Sequence, residues 1–384
     1  MAPRFIYQLL SSVLSFAMMV PPTVAGANEL GVSVDTILIG RVTPSSSPVF
    51  GDIAKQRTGS ADAYIASVNA AGGIHGRKLV IKDRDDAYKA DQAAAEVKAL
   101  INEDKVFALM GSFGTHTLPV IMKEAEAAMV PLVGATMLSN KARDPVQRYV
   151  FPVRISLTDE NSTVVKHQTT IGVRKFVVLA SEEAYGPDGQ AAYVEALKRF
   201  NIQPVAVITF SAGDEPAEVA RRIHAAGAKA LLVAVLPKPF SKVLKQYRAL
   251  GGSAQVFGFS AIRIEDLQAA LGDMASGIVL SQGVPSPARR SVPLVAEYRK
   301  VLQHFAPGTE PSYHGLDAFI EAKVLVDGLR KAGRSLTREK LLEALESMNN
   351  RDFGGVNVRY APGDRTGSTY VDLVLLGTQN KVVN

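Results

Sequence analysis

Residues 107–136 read FALMGSFGTHTLPVIMKEAEAAMVPLVGAT. Two short apolar runs, Phe107–Met110 and Pro131–Val133, are long enough for buried strands and too short for helices. Between them Leu118, Ile121, Met122 and Ala125 fall at i, i+3, i+4 and i+7, one apolar stripe of a helix. Each run ends in a turn of small residues that carries hydroxyls: Gly111-Ser112-Phe113-Gly114-Thr115 after the first, Gly134-Ala135-Thr136 after the second. In an open α/β sheet, ligands bind beyond the carboxyl ends of the strands. Both turns are expected there, and the first opens a helix whose free N–H groups suit an anion. The stretch predicts a site for a small carboxylate.

The same rhythm extends in both directions. Upstream, Thr36–Val42 reads as a first strand, followed by a Pro/Ser loop over Pro44–Gly51 and a helix marked by Ala61, Tyr64, Ile65 and Val68. Leu79–Lys82 is a second strand, with a helical stripe at Ala93, Val97, Leu100 and Ile101. Downstream, Val150–Ile155 is an extended connection, after which strands are predicted at Lys175–Ala180, Val205–Phe210, Ala230–Leu236, Val256–Phe259 and Ile278–Gln282. Helical patterns follow near Val292–Phe305, Tyr313–Lys331 and Thr337–Met348, and strand character returns at Val356–Tyr360 and Thr369–Leu376. This alternation predicts an α/β protein with parallel sheets covered on both faces.

Composition narrows the function. A chain of 384 residues suffices for two domains with separate cores. Zero Cys excludes disulfides, thiolate metal sites and a cysteine nucleophile. Residues 1–27 carry one early charge, Arg4, an apolar stretch from Phe5 to Val20, and Ala25-Gly26-Ala27, the pattern of a secretory signal peptide with its cleavage site. The net charge of +6 comes from bases interleaved with acids, as in Lys82-Asp83-Arg84-Asp85-Asp86, so it reads as a solvated surface and no nucleic-acid partner is expected. The six His show no zinc-type i, i+4 pair with an intervening Glu, so neither a metal nor a cofactor is expected. No G-x-S-x-G elbow, G-x-x-x-x-G-K-[ST] loop or G-x-G-x-x-G fingerprint is present, which leaves no positive sign of an enzyme.

Several markers then fall in an ordered series: the Pro44–Gly51 loop, Asn69-Ala70-Ala71-Gly72-Gly73-Ile74-His75-Gly76, Asp85-Asp86-Ala87, Gly111–Pro119 and Val133-Gly134-Ala135-Thr136. Tyr185-Gly186, Ser281–Pro287 and Phe353-Gly354-Gly355 complete it. Over roughly residues 34–384 the chain resembles the leucine/isoleucine/valine-type periplasmic solute-binding proteins of ABC importers. The resemblance implies the type I periplasmic-binding fold: two doubly wound parallel-sheet lobes joined by three hinge strands. Lobe one takes 34–153 plus 284–351 and lobe two 154–283 plus 352–384. A monomeric, periplasmic binding protein is implied, closing on an amino acid of branched-chain type or a related small carboxylate and docking on an ABC permease in the inner membrane. The alternative is a sensor module reporting such a solute, or an aromatic acid, to a membrane receptor.

Carried over by position, Thr115 matches the hydroxyl that holds the ligand carboxylate, and Ala135 and Thr136 match the second turn, which contacts the head group. Phe50 and Tyr185 match aromatic walls; Ser112, Phe113 and Gly114 shape the first turn. One departure stands out. Where the family's amino-acid binders have an acid for the α-ammonium, this chain has Ser260, in Gly258-Phe259-Ser260-Ala261. Glu182, Glu183 or Asp214 are the substitutes considered; otherwise the ligand is a carboxylate without an amino group. Arg154 is read as a structural partner of Asp159 or Glu160 rather than an anion ligand.

Overall fold

The computed structural model describes residues 29–136, 140–183, 185–378 and 382–383. The signal peptide expected at 1–27 lies outside the described residues. The first sheet consists of β1 (Thr36–Thr43), β2 (Lys78–Asp85), β3 (Ala108–Met110), β4 (Leu132–Val133) and β5 (Val150–Phe151). It runs β2-β1-β3-β4-β5, and every pairing is parallel. Its connections are α1 (Gly51–Ala70), α2 (Ala90–Asn102) and α3 (Leu118–Ala127). The two apolar runs of the opening stretch are thus adjacent strands, Leu109 beside Leu132 and Met110 beside Val133.

The second sheet takes up the next series: α4 (Leu157–Thr170), β6 (Phe176–Ser181), α5 (Gly186–Arg199), β7 (Ala206–Phe210), α6 (Pro216–Ala225) and β8 (Ala230–Ala234). It continues through α7 (Pro237–Ala249), β9 (Gln255–Gly258), α8 (Ile264–Leu271) and β10 (Val279–Gln282). Strands β6 and β8 are buried at almost every position, as near-continuous Val/Leu runs require when helices cover both faces. The chain then forms α9 (Pro293–Phe305), α10 (Tyr313–Ala332) and α11 (Arg338–Glu346). It ends in β11 (Arg351–Asp352), β12 (Asn357–Ala361), β13 (Asp364–Ser368), β14 (Asp372–Leu376) and β15 (Val382–Val383). Strand β14 adds antiparallel to β10, and the sheet order is β15-β14-β10-β9-β8-β6-β7.

Among the described residues, three large cores follow from this layering, beside a small cluster of Ile53, Ala54 and Phe113. One lies under α1, α9, α10 and α11 on one face of the first sheet, and one under α2 and α3 on the other. The third surrounds the second sheet. Residues 351–368 form a small antiparallel sheet that the sequence pattern only half anticipated. Its Phe353, Val356, Val358 and Tyr360 belong to the first lobe's core, whereas Val374 and Leu376 belong to the second. The resemblance implies that 352–384 belong to the second lobe; the packing divides that segment between the two.

The chain passes between lobes after β5, after β10 and between β13 and β14, and the three passages touch. Ser368 N–H donates to the Val153 carbonyl at 2.7 Å, and the Tyr360 hydroxyl donates to the Pro152 carbonyl at 3.0 Å, across 208 residues of chain. Gly367 (φ 69°) lies so close that a Cβ would be 2.4 Å from the Pro152 carbonyl oxygen and 2.7 Å from that of Val153. Only glycine suits that backbone and that approach.

Candidate functional site

The carboxyl ends of β3 and β4 carry the two turns, which are hydrogen-bonded to each other. Thr136 N–H donates to Ser112 O at 3.1 Å and Gly114 N–H to Thr136 O at 3.2 Å. Gly111 (φ 69°) and Gly134 (φ 85°) turn the chain in the left-handed region as each strand ends. At Gly134 a Cβ would lie 2.8 Å from the Glu321 carboxyl carbon, so the second turn sits directly on that side chain.

Above the turns is a cavity that opens to solvent. The first lobe contributes Phe50, Ile53, Arg57, Tyr88, Phe113, Gly114, Thr115, Thr136 and His314. The passage after β5 contributes Arg154, and the second lobe Tyr185 and Ala261. Phe50 and Tyr88 lie with ring centroids 4.3 Å apart, and Tyr185 stands edge-on to Phe259 at 5.5 Å. Tyr185 is anchored by its hydroxyl, which donates to the Val235 carbonyl at 3.1 Å, and burial pushes its pKa far up. Arg263, which directly precedes α8, reaches Asp52 of α1 at 3.1 Å, a contact between the two lobes.

Of the residues expected to bind ligand, Phe50, Phe113, Gly114, Thr115, Thr136 and Tyr185 line this cavity. Ser112, Ala135 and Ser260 do not. Ser112 and Ala135 are buried within the turns. Ser260 is held back by Glu160, a fully buried carboxylate on α4 that accepts from Ser260 N–H at 2.9 Å, Ser260 Oγ at 2.7 Å and Ser281 Oγ at 2.7 Å. Arg154 donates to Glu160 at 2.6 Å and also contacts Ser260, so Arg154 does have the expected partner while one side of it faces the cavity. Neither Glu182, Glu183 nor Asp214 lines the cavity. The Thr136 hydroxyl is itself spent as a donor, to Glu321 at 2.7 Å.

The sequence reading missed the charged floor. Arg57 of α1 donates to Asp317 at 2.5 Å and to both Glu321 oxygens at 2.7 Å, and all three side chains are buried. Burial works against the charged guanidinium, but the Glu321 and Asp317 charges outweigh it and raise the Arg57 pKa. Burial pushes the Glu321 carboxyl up, against the pull of Arg57. A signal was present: His314, Asp317 and Glu321 fall at i, i+3 and i+7 on one face of an apolar helix, and Arg57 sits in the apolar stripe of α1 between Ile53 and Ala61.

His314 stands in the first turn of α10, where a positive charge opposes the helix dipole. Burial, followed by the Arg57 charge, lowers its pKa to about 3. The folded protein therefore keeps His314 neutral while the unfolded chain protonates it below about 6.5. Stability from this group is present above that value and is lost as pH falls toward 3. His314→Asn should gain on the native protein by about 1 kcal/mol per pH unit between 6.5 and 4.5, somewhat under the full one-proton slope because the ring is only half-buried. Urea midpoints of both proteins across that range check this; parallel curves would refute it.

A family model described as periplasmic binding protein matches residues 36–376. An amino acid binding protein of Pseudomonas aeruginosa is 24% identical over 313 residues, covering 79% of this chain and 81% of that one. A Leu/Ile/Val-binding protein of Escherichia coli is 24% identical over 255 residues, 65% of this chain and 68% of its own. Among solved structures, a substrate-binding periplasmic protein from Ralstonia solanacearum superposes with a TM-score of 0.78 at 27% identity, covering 90% of this chain and 99% of that one. A branched-chain amino acid ABC transporter protein from Thermus thermophilus with bound valine gives 0.78 at 16% identity, over 91% and 95% of the two chains. That last likeness is one of fold. These relatives are named as binding proteins, not as enzymes.

Proposed function

We propose that this chain, which belongs to the periplasmic binding protein family, is the exported solute-binding component of an ABC importer. It captures a small carboxylate-bearing solute between its lobes and delivers it to a membrane permease. The observation that carries this reading is the pair of mutually bonded turns, bearing Thr115 and Thr136, that opens on a cavity walled by both lobes. Residues 34–153 with 284–368 make one jaw, and 154–283 with 372–376 the other. Closure by rotation about the three passages brings Tyr185 and Ala261 onto the turns.

A thermal-shift screen of amino acids and organic acids tests it, since a ligand that binds only the native state raises the midpoint. Thr115→Ala should weaken the hit by about 10- to 100-fold, the worth of one charge-assisted hydrogen bond. Unchanged affinity, measured calorimetrically, would remove the carboxylate from this turn.

A further inference from the structure

We infer that the captured solute is an aromatic carboxylate without an α-ammonium group. This rests on the solute-binding reading above and names the substrate class of the same cavity. An α-amino acid brings a cation as well as an anion, and a buried ammonium needs a carboxylate or several strong acceptors around it. Among the described residues, the cavity is lined by two guanidinium groups, Arg57 and Arg154, and by no carboxylate.

The acids nearby are already engaged. Glu160, which approaches the Ser260 position from behind, is enclosed by four donors, one of them Arg154. Glu321 accepts from Arg57 and from Thr136. Asp317 keeps one oxygen without a partner, yet it faces a separate and smaller pocket that Arg154 also lines, so an ammonium there would meet a like charge. One face of Phe113 already carries a cation, the Arg57 guanidinium 5.1 Å from its centroid, so an ammonium at that ring would meet a like charge.

For an anion the balance reverses. The Arg57 Nε is buried without a partner, and Arg57 lines the cavity together with Thr115, whose side chain also meets the Tyr88 hydroxyl. Around the remaining volume stand Phe50, Tyr88, Phe113 and Tyr185, ring surfaces that favour an aromatic body over a branched aliphatic one.

Calorimetric titration of the purified protein with two matched pairs decides the matter: 3-phenylpropionate against phenylalanine, and 4-methylpentanoate against leucine. Each pair differs by the ammonium alone. Binding of 3-phenylpropionate at least tenfold tighter than phenylalanine and than 4-methylpentanoate is the expected result. Equal or tighter binding of phenylalanine or leucine overturns the inference, and so does tighter binding of 4-methylpentanoate; if Thr115→Ala weakens that winner, the cleft reading stands. No binding by any of the four overturns the inference as well. If 3-phenylpropionate binds tightest but Thr115→Ala leaves its affinity unchanged, the inference and the cleft reading fall together.

Discussion

Arg57→Met is expected to cost about 3–5 kcal/mol of folding stability, the usual penalty for removing one partner of a buried ion pair. The guanidinium is the cation that meets Asp317 and Glu321 in their contact beneath the cavity. Without it two buried carboxylates face each other across one helical turn, and the Thr136 hydroxyl hangs on one of them. Because the second turn rests on Glu321, the loss should also loosen the threonine turns. Glu321→Gln is the informative companion. An amide oxygen still accepts from Arg57 and Thr136, and burial already disfavours the ionised Glu321, so that change should cost no more than about 1–2 kcal/mol. Urea denaturation of the two variants measures both; an Arg57→Met loss under about 1 kcal/mol would mean the floor contributes little.

Glu160→Ala is expected to have a comparable effect at the other side of the site, again about 3–5 kcal/mol. It strands two buried serine hydroxyls and the Ser260 N–H, and leaves Arg154, whose other side faces the cavity, without its carboxylate. These groups come from the passage after β5, the end of β9 and β10, so one carboxylate ties three segments of the second lobe's cleft edge together. Glu160→Gln keeps an acceptor for the serines but loses the charge opposite Arg154, and should fall between wild type and Glu160→Ala. The same denaturation series checks the ranking, and equal losses in both variants would count against the role of the charge.

These two networks mark where sequence reading stops. The strand-turn units around Thr115 and Thr136 were legible because each carries its own local evidence, a short apolar run, a glycine and a hydroxyl, with one helical stripe between the two. Parallel pairing of the two strands follows from that pattern with little else needed. Arg57 meets Glu321 across 264 residues, and Glu160 meets Ser260 across 100. Ion pairs have no periodicity, so a carboxylate on a core-facing stripe signals only that some partner exists. The same limit explains why Ser260 looked like a ligand contact: its position after a strand was right, but the side chain that claims it comes from a distant helix.

The small sheet β11–β13 has a consequence for how the molecule is made. Tyr360 packs edge-on against Phe151 and its hydroxyl caps Pro152, while Phe353, Val356 and Val358 complete the same core. The first lobe is therefore finished by residues that follow the second lobe's strands β6–β10 in the chain. Domains tend to fold as units during synthesis, and this one is not whole until the strands of the second lobe that lie between its two parts, β6–β10, have been made.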